Sequence, residues 1–206
     1  MSLSSHPLTA SDLAHADLLL ASASPRRADL LQQIGVRFVV GVEDIDERQR
    51  TCESAVDYVM RLALEKAQAG YARHNPTLPV LGADTIGLCN GSVFGKPADC
   101  DEAVSMLQAL SAATHQVLSA VAIVTELRSE VAVSKSLVTF RTISPDECLK
   151  YWHTGEPQGK AGAYAIQGYG GTFVAHLVGS YSGVMGLPLF ETQQLLENFN
   201  VPIWQS

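Results

Sequence analysis

Residues 17–27 read DLLLASASPRR. An apolar run ends at Ala21, two serines follow, and Pro25 stands where a helix opens, because its fixed φ suits the first helical position. The stretch predicts a buried strand over 17–22, a tight turn, and a helix over 25–34. Leu30, Leu31 and Ile34 form the apolar stripe of that helix, and Gly35 is its stop. A strand that turns directly into a helix is the unit of an α/β sheet.

The alternation continues on the C-terminal side. VRFVVGV (36–42) predicts a second strand. A longer helix over 53–72 buries Val56, Val59, Met60, Ala63 and Ala67 at helical spacing. PVLGADTIGLC (79–89) predicts a strand, Asn90-Gly91 a type I′ hairpin turn, and SVFGKP its return. DCDEAVSMLQAL (99–110) predicts a helix with acidic residues in its first turn. Residues 117–127 and 130–143 predict two long strands, antiparallel and joined at Arg128-Ser129. Ser144-Pro145-Asp146-Glu147 is a capping box with Pro at the first helical position, so 145–153 is a predicted helix. A glycine-rich tract runs from 155 to 186, and PLFETQQLLENF (188–199) predicts a closing helix. The order gives an α/β protein with a mixed sheet flanked by helices.

Composition narrows the function. The chain has 206 residues, 47% of them hydrophobic and 17% charged, enough for a sizeable core in one domain. No apolar run approaches the roughly 18 residues that cross a bilayer, and the first 17 residues contain neither Lys nor Arg, so neither a signal nor a transit peptide fits. A net charge of -7 argues against a nucleic-acid-coating surface. The four cysteines, Cys52, Cys89, Cys100 and Cys148, form no CxxC pair, which fits a reducing cytoplasm. No membrane and no nucleic-acid partner is expected. Any anionic ligand is therefore small and held by a local cluster of cations.

Arg26 and Arg27 supply the first candidates. Cations in the first turn of a helix are disfavoured by about 0.3–1 kcal/mol unless an anion sits there. Free N–H groups, the hydroxyl of Ser22 or Ser24, and two guanidinium forks together make a phosphate cradle. The alternative is a pair of arginines pointing into water. In GADTIG (82–87), Asp84 interrupts an apolar strand, which is costly unless the carboxylate is paired or binds a metal. A strand end facing solvent is the alternative.

With Asn90 and Gly91 as the loop, the hairpin register pairs Cys89 with Ser92, Thr85 with Lys96 and Asp84 with Pro97, placing Lys96 beside the carboxylate unless a bulge intervenes. Lys96 also precedes the helix that opens near Asp99, and a plain surface lysine remains the other reading. Lys66 lies at the edge of the apolar stripe of its helix, where it either reaches a cleft or merely covers apolar surface. Glu47, in the acidic run EDIDE (43–47), either supplies a carboxylate to a divalent cation or is simply solvated. GSVFGK (91–96) is one residue short of a P-loop, and GSYSG (179–183) has Tyr181 where a nucleophile elbow needs serine.

SASPRR after a short strand, EKA (65–67), GADT (82–85), GKP (95–97), GEPQGKAGAYAIQG (155–168) and GSYSGVMGLP (179–188) stand in this order. Together they resemble the Maf family of nucleoside triphosphate pyrophosphatases over about residues 17–200. The resemblance implies a fold similar to the inosine triphosphate pyrophosphatases: an elongated mixed sheet, two lobes, a central cleft and commonly a homodimer. It implies a single catalytic domain over 17–206, preceded by a flexible arm over 1–16. It also implies hydrolysis between the α and β phosphates with a divalent metal, Mg or Mn. The wording AGAYAIQG, with Gln167, resembles the branch acting on dTTP and UTP, modified pyrimidine nucleotides and pool housecleaning included.

By motif position, Asp84 is the implied proton acceptor, and Arg27, Thr85 and Gln167 are the implied specificity positions. Ser24, Arg26, Glu47, Lys66 and Lys96 complete the implied site, with Glu47 and Asp84 at the metal. One departure stands out. Where relatives commonly carry Asp-Lys-Ala-Gly, this chain has Gly159-Lys160-Ala161-Gly162, so any role of that acid is absent or moved. Two other readings use the same cations: a nucleotide-binding regulator of cell division or growth without turnover, and a phosphatase of other small phosphate esters.

Overall fold

The computed structural model describes residues 8, 13–42, 44–89 and 91–205. Most of the expected arm over 1–16, Glu43 of the acidic run and Asn90 of the hairpin turn lie outside the described residues. The elements are β1 (Leu18–Leu20), α1 (Pro25–Gln33), β2 (Phe38–Val40), α2 (Ala55–His74), β3 (Val80–Cys89), β4 (Ser92–Phe94) and α3 (Cys100–Leu110). Then come β5 (Thr114–Val124), β6 (Ser129–Phe140), α4 (Pro145–His153), two 3-10 turns, β7 (Val174–Val178), α5 (Tyr181–Met185) and α6 (Leu189–Asn198).

The strands form one seven-stranded sheet in the order β2-β1-β3-β5-β6-β7, with β4 on β3. β1 runs parallel to both β2 and β3, whereas β4 is antiparallel to β3 and β7 to β6. The mixed sheet expected from the sequence is therefore present. β1 is Leu-Leu-Leu, buried at every position, because a parallel strand between two others is covered on both faces.

Helix boundaries follow local chemistry. Ser54 caps α2 by accepting the Asp57 N–H, which moves its start from the expected 53 to 55, and left-handed Asn75 ends it. The capping box on α4 is complete, with Ser144 and Glu147 each accepting the other's backbone N–H. β5 and β6 are joined by residues 125–128 rather than 128–129, because the Thr125 N–H donates to the Arg128 carbonyl and closes the turn earlier.

The chain divides into two compact units. The first comprises Met1–Asp84, Ala120–Val133 and Gly186–Ser206, and the second Thr85–Ser119 and Ser134–Met185. In the first, Leu18, Leu19, Leu20, Val80 and Leu81 of the sheet and Val59, Leu62, Ala63 and Ala67 of α2 are fully buried. In the second, the core gathers Leu107 and Leu110 of α3, Val138 and Phe140 of β6, Cys148 and Tyr151 of α4, and Tyr164 and Phe173. Among the described residues no helix is long and apolar enough to cross a membrane.

Candidate active site

The site in the first unit starts from a residue without a side chain. Gly82 faces α2, and a Cβ there would overlap the Ala63 carbonyl oxygen and stand 2.6 Å from the Ala67 nitrogen. Strand and helix are thus in backbone contact, and Asp84, two residues on and so on the same face, is met by a side chain from that same turn of α2. There Lys66 Nζ donates to Asp84 Oδ1 at 2.6 Å and pairs with Glu47 Oε1 at 2.6 Å. The Lys66 and Asp84 side chains are 12% and 11% exposed, that of Glu47 46%. Two carboxylates share one ammonium, so these three groups sum to -1 in a partly desolvated place.

Glu47 is held there through its backbone. The Tyr58 hydroxyl donates to the Glu47 carbonyl at 2.6 Å. Arg61, also on α2, pairs with Glu53 at 2.5 Å and Glu65 at 2.9 Å and donates to the Arg48 carbonyl, fastening the loop that carries Glu47. The hydrogen bond from Arg61 holds the Glu53 carboxyl down at about 2. Burial pushes the Tyr58 phenol up, and the charges of Asp84 and Glu47 add to that. Tyr58, Glu53 and Arg61 are absent from the sequence reading. Only the i, i+4 spacing of Arg61 and Glu65 announces a contact.

Arg27 belongs to the same unit. Its Nε donates to the Gly186 carbonyl and a terminal nitrogen to Ser22 Oγ, both at 2.9 Å. Ser22 rather than Ser24 is therefore the hydroxyl that meets it. Ser24 is the N-cap of α1, its side chain makes no capping bond, and its N–H donates to Ser22 Oγ. Burial lowers the Arg27 pKa, Asp84 and Glu47 oppose that, and Arg26 reinforces it, so all four act in one electrostatic neighbourhood. Burial also lowers Arg26. Both guanidiniums remain cations that are half-buried rather than pointed wholly into water.

The other expected residues lie in the second unit. Thr85 projects from the opposite face of β3 to Asp84, by strand alternation, and its hydroxyl meets Ser119 Oγ on β5 at 2.9 Å. The hairpin register matches expectation at Cys89 with Ser92, Leu88 with Val93 and Gly87 with Phe94. β4 ends at Phe94, however, and the expected pairs Thr85 with Lys96 and Asp84 with Pro97 do not form. The reason is that the Gly95 carbonyl accepts the Gly162 N–H at 3.1 Å, which diverts the chain from the ladder. Lys96 is an exposed residue between β4 and α3. The start of α3 is already served by acids: Asp99 accepts the Glu102 N–H, and Glu102 accepts the Ala98 N–H.

Gln167 sits on an exposed turn closed by the Gly168 N–H to the Ala165 carbonyl. Gly159, where the resemblance implies an acid, is left-handed with φ 67, and a Cβ there would point into open space. A carboxylate three residues earlier, Glu156, takes three hydrogen bonds in this loop and is absent from the sequence reading.

Among the described residues no cluster of three or more His, Cys, Asp or Glu side chains is placed to hold a metal. Asp84 and Glu47 are nonetheless two hard oxygen donors converging on one positive point, the Lys66 ammonium. That donor set fits a hard divalent cation that takes one or two carboxylates and completes its shell with substrate phosphates.

The family model for Maf-like proteins matches residues 17–199. The chain belongs to the Maf family. A protein of Saccharophagus degradans named dTTP/UTP pyrophosphatase is 52% identical over 194 residues, covering 93% of this chain and 92% of its own. One of Escherichia coli O157:H7 with the same name is 51% identical, covering 89% of this chain and 93% of its own. Among solved structures, a HAM1 protein from Coxiella burnetii is similar with a TM-score of 0.50 and 15% identity, over 88% of this chain and 98% of that one. This last likeness concerns the fold alone, and the sheet expected from the Maf resemblance is borne out by it. In Maf terms, the first unit carries SASPRR, EKA and the Gly82-Ala83-Asp84 part of GADT together with Gly186 of the last motif, and the hydrogen bond from Arg27 to Gly186 ties the first motif to the last.

Proposed function

We propose that the chain hydrolyses the α–β phosphoanhydride of dTTP and UTP, and of modified pyrimidine nucleotides, to the monophosphate and pyrophosphate. The carrying observation is the buried Asp84 carboxylate, which shares the Lys66 ammonium with Glu47 beside Arg27. The names of the relatives at 51–52% identity support the substrate class.

Asp84 orients a water toward the α phosphorus and takes its proton as the new P–O bond forms. The bond from that phosphorus to the bridging oxygen breaks, and pyrophosphate leaves with the electron pair. Arg26, Arg27, Lys66 and Lys96 offset the phosphate charge, which is the main catalytic resource in such transfers. The Ser24 hydroxyl and the first-turn N–H groups of α1 add neutral donors. Asp84 and Glu47 would hold a divalent cation, Mg or Mn, whose charge would offset that of the triphosphate. Thr85 and Gln167 act in selection, and an amide offers both the donor and the acceptor that the imide edge of thymine or uracil needs. The reading includes a cytoplasmic enzyme in nucleotide-pool housecleaning, working as a homodimer with 17–206 as its catalytic domain.

The purified protein, given a panel of nucleotides with Mg or Mn, is expected to release pyrophosphate with dTMP or UMP, and Asp84→Asn to lose about 10²-fold or more in kcat while folded. Inorganic phosphate as the product would overturn the reading. Nucleotide binding without turnover would favour the regulator instead.

A further inference from the structure

Gln167 lies on an exposed turn, and an amide that reads a base must be held to a fraction of an ångström by groups behind it. Those groups are in the same unit. Glu156 Oε1 accepts the Tyr151 hydroxyl at 2.6 Å and the Gly170 N–H at 2.9 Å, and Oε2 accepts the Tyr169 N–H at 2.9 Å. The Tyr151 oxygen accepts the Ala165 N–H at 3.1 Å. One Tyr–Glu pair thus grips the chain two residues before Gln167 and two and three residues after it.

The pair is itself anchored. Tyr151 is buried on α4, with its ring edge-on to Phe173 at 5.0 Å between centroids. The turn is shaped around the pair: a Cβ on Gly168 would overlap the Glu156 carboxylate, and one on Gly170 would stand 2.5 Å from the Tyr151 oxygen. Three donors on one carboxylate also make a charge-assisted set, stronger than a neutral turn of the same length. Burial raises the Glu156 pKa, but the bonds from Tyr151, Gly170 and Tyr169 outweigh it and leave it lowered.

We propose that Glu156 and Tyr151 are positioning residues for base selection, holding the 165–170 turn so that the Gln167 amide is presented in one orientation. The inference rests on the reading of Gln167 as a base-contacting residue. Its consequence is that weakening the pair lets the amide sample several orientations, which costs discrimination between bases more than it costs phosphate chemistry.

The test compares Glu156→Gln, Tyr151→Phe, Gln167→Ala and the Glu156→Gln/Gln167→Ala double variant by kcat/KM on dTTP and on dCTP, with melting temperature recorded for each. Selectivity for dTTP over dCTP is expected to fall roughly tenfold in each single variant, the amount one lost hydrogen bond carries. KM for dTTP is expected to rise by more than kcat falls. The double variant is expected to be no less selective than Gln167→Ala alone, because both remove the same presentation. Should Glu156→Gln fail to fold, Tyr151→Phe, which keeps the buried ring, decides. A lowered melting temperature with unchanged selectivity in the positioning variants, while Gln167→Ala loses it, would overturn the positioning role and leave the base reading intact. Losses that multiply in the double variant would also overturn it. Unchanged selectivity in Gln167→Ala would overturn both.

Discussion

Lys66 touches both Asp84 and Glu47, and the two carboxylates depend on it unequally. Asp84 is 11% exposed, so without its ammonium the charge would be left in a place water reaches poorly. Breaking such a buried pair from one side costs about 3 kcal/mol, because the remaining charge is uncompensated. Glu47 is 46% exposed, and losing its half of the bridge costs under about 1 kcal/mol. Lys66→Gln is therefore expected to lower the urea midpoint strongly and Glu47→Gln slightly. Asp84→Asn in the Lys66→Gln background is expected to recover part of the loss. Equal costs for Lys66→Gln and Glu47→Gln would show that burial does not set the strength of this pair.

At the scale of elements, the closeness of β3 and α2 makes the Lys66–Asp84 contact, and Gly82 sets that closeness. Gly82→Ala must push the strand from the helix, an overpacking cost of about 1–3 kcal/mol. The shift moves Asp84 relative to Lys66, and a displacement of about 1 Å at a reacting group costs about 10²-fold in rate. Gly87→Ala on the same strand is the control, since its nearest neighbour is the Phe94 Cβ at 3.8 Å. Thermal melts and steady-state rates on the two variants separate the cases. A Gly82→Ala enzyme as active as Gly87→Ala would remove the packing argument.

The same contrast between local and distant causes explains what the sequence discloses. α2 is legible from its apolar spacing and β5 from its continuous apolar run, although β5 begins and ends three residues earlier than expected, and the capping box on α4 is legible to the residue. Lys66 and Asp84 stand out because a charge on an apolar element is expensive. The tract 155–186 does not resolve by pattern into its two 3-10 turns, β7 and α5, because its shape comes from Glu156 and Tyr151 rather than from any repeat. Lys96 escapes its expected place for the same reason: the ladder that would have carried it ends where Gly95 turns to Gly162.

For the whole molecule, the response to acid follows from one buried ring before the carboxylates take over. His115 is 2% exposed, its Nε2 meets the Tyr164 hydroxyl at 2.9 Å, and it packs edge-on against Phe140. Its Nδ1 is buried without a hydrogen-bond partner, so a second N–H there would have no acceptor. Burial lowers its pKa from 6.5 to about 4. Above pH 6.5 both folded and unfolded chains hold it neutral. As pH falls from 6.5 to about 4, the unfolded chain binds the proton and the folded one does not, so folding loses stability throughout that window, and below it the loss is complete. Glu53 and Glu147, each lowered from 4.5 to about 2 chiefly by hydrogen bonds from Arg61 and Arg141, behave in the next window down. Their contributions are present above about 4.5 and fade as pH falls toward 2. His115→Gln is therefore expected to flatten the fall in melting temperature between pH 6.5 and 4 while leaving the steeper fall below pH 4. A constant offset between the two proteins across the whole range would mean that the ring contributes packing and no proton linkage.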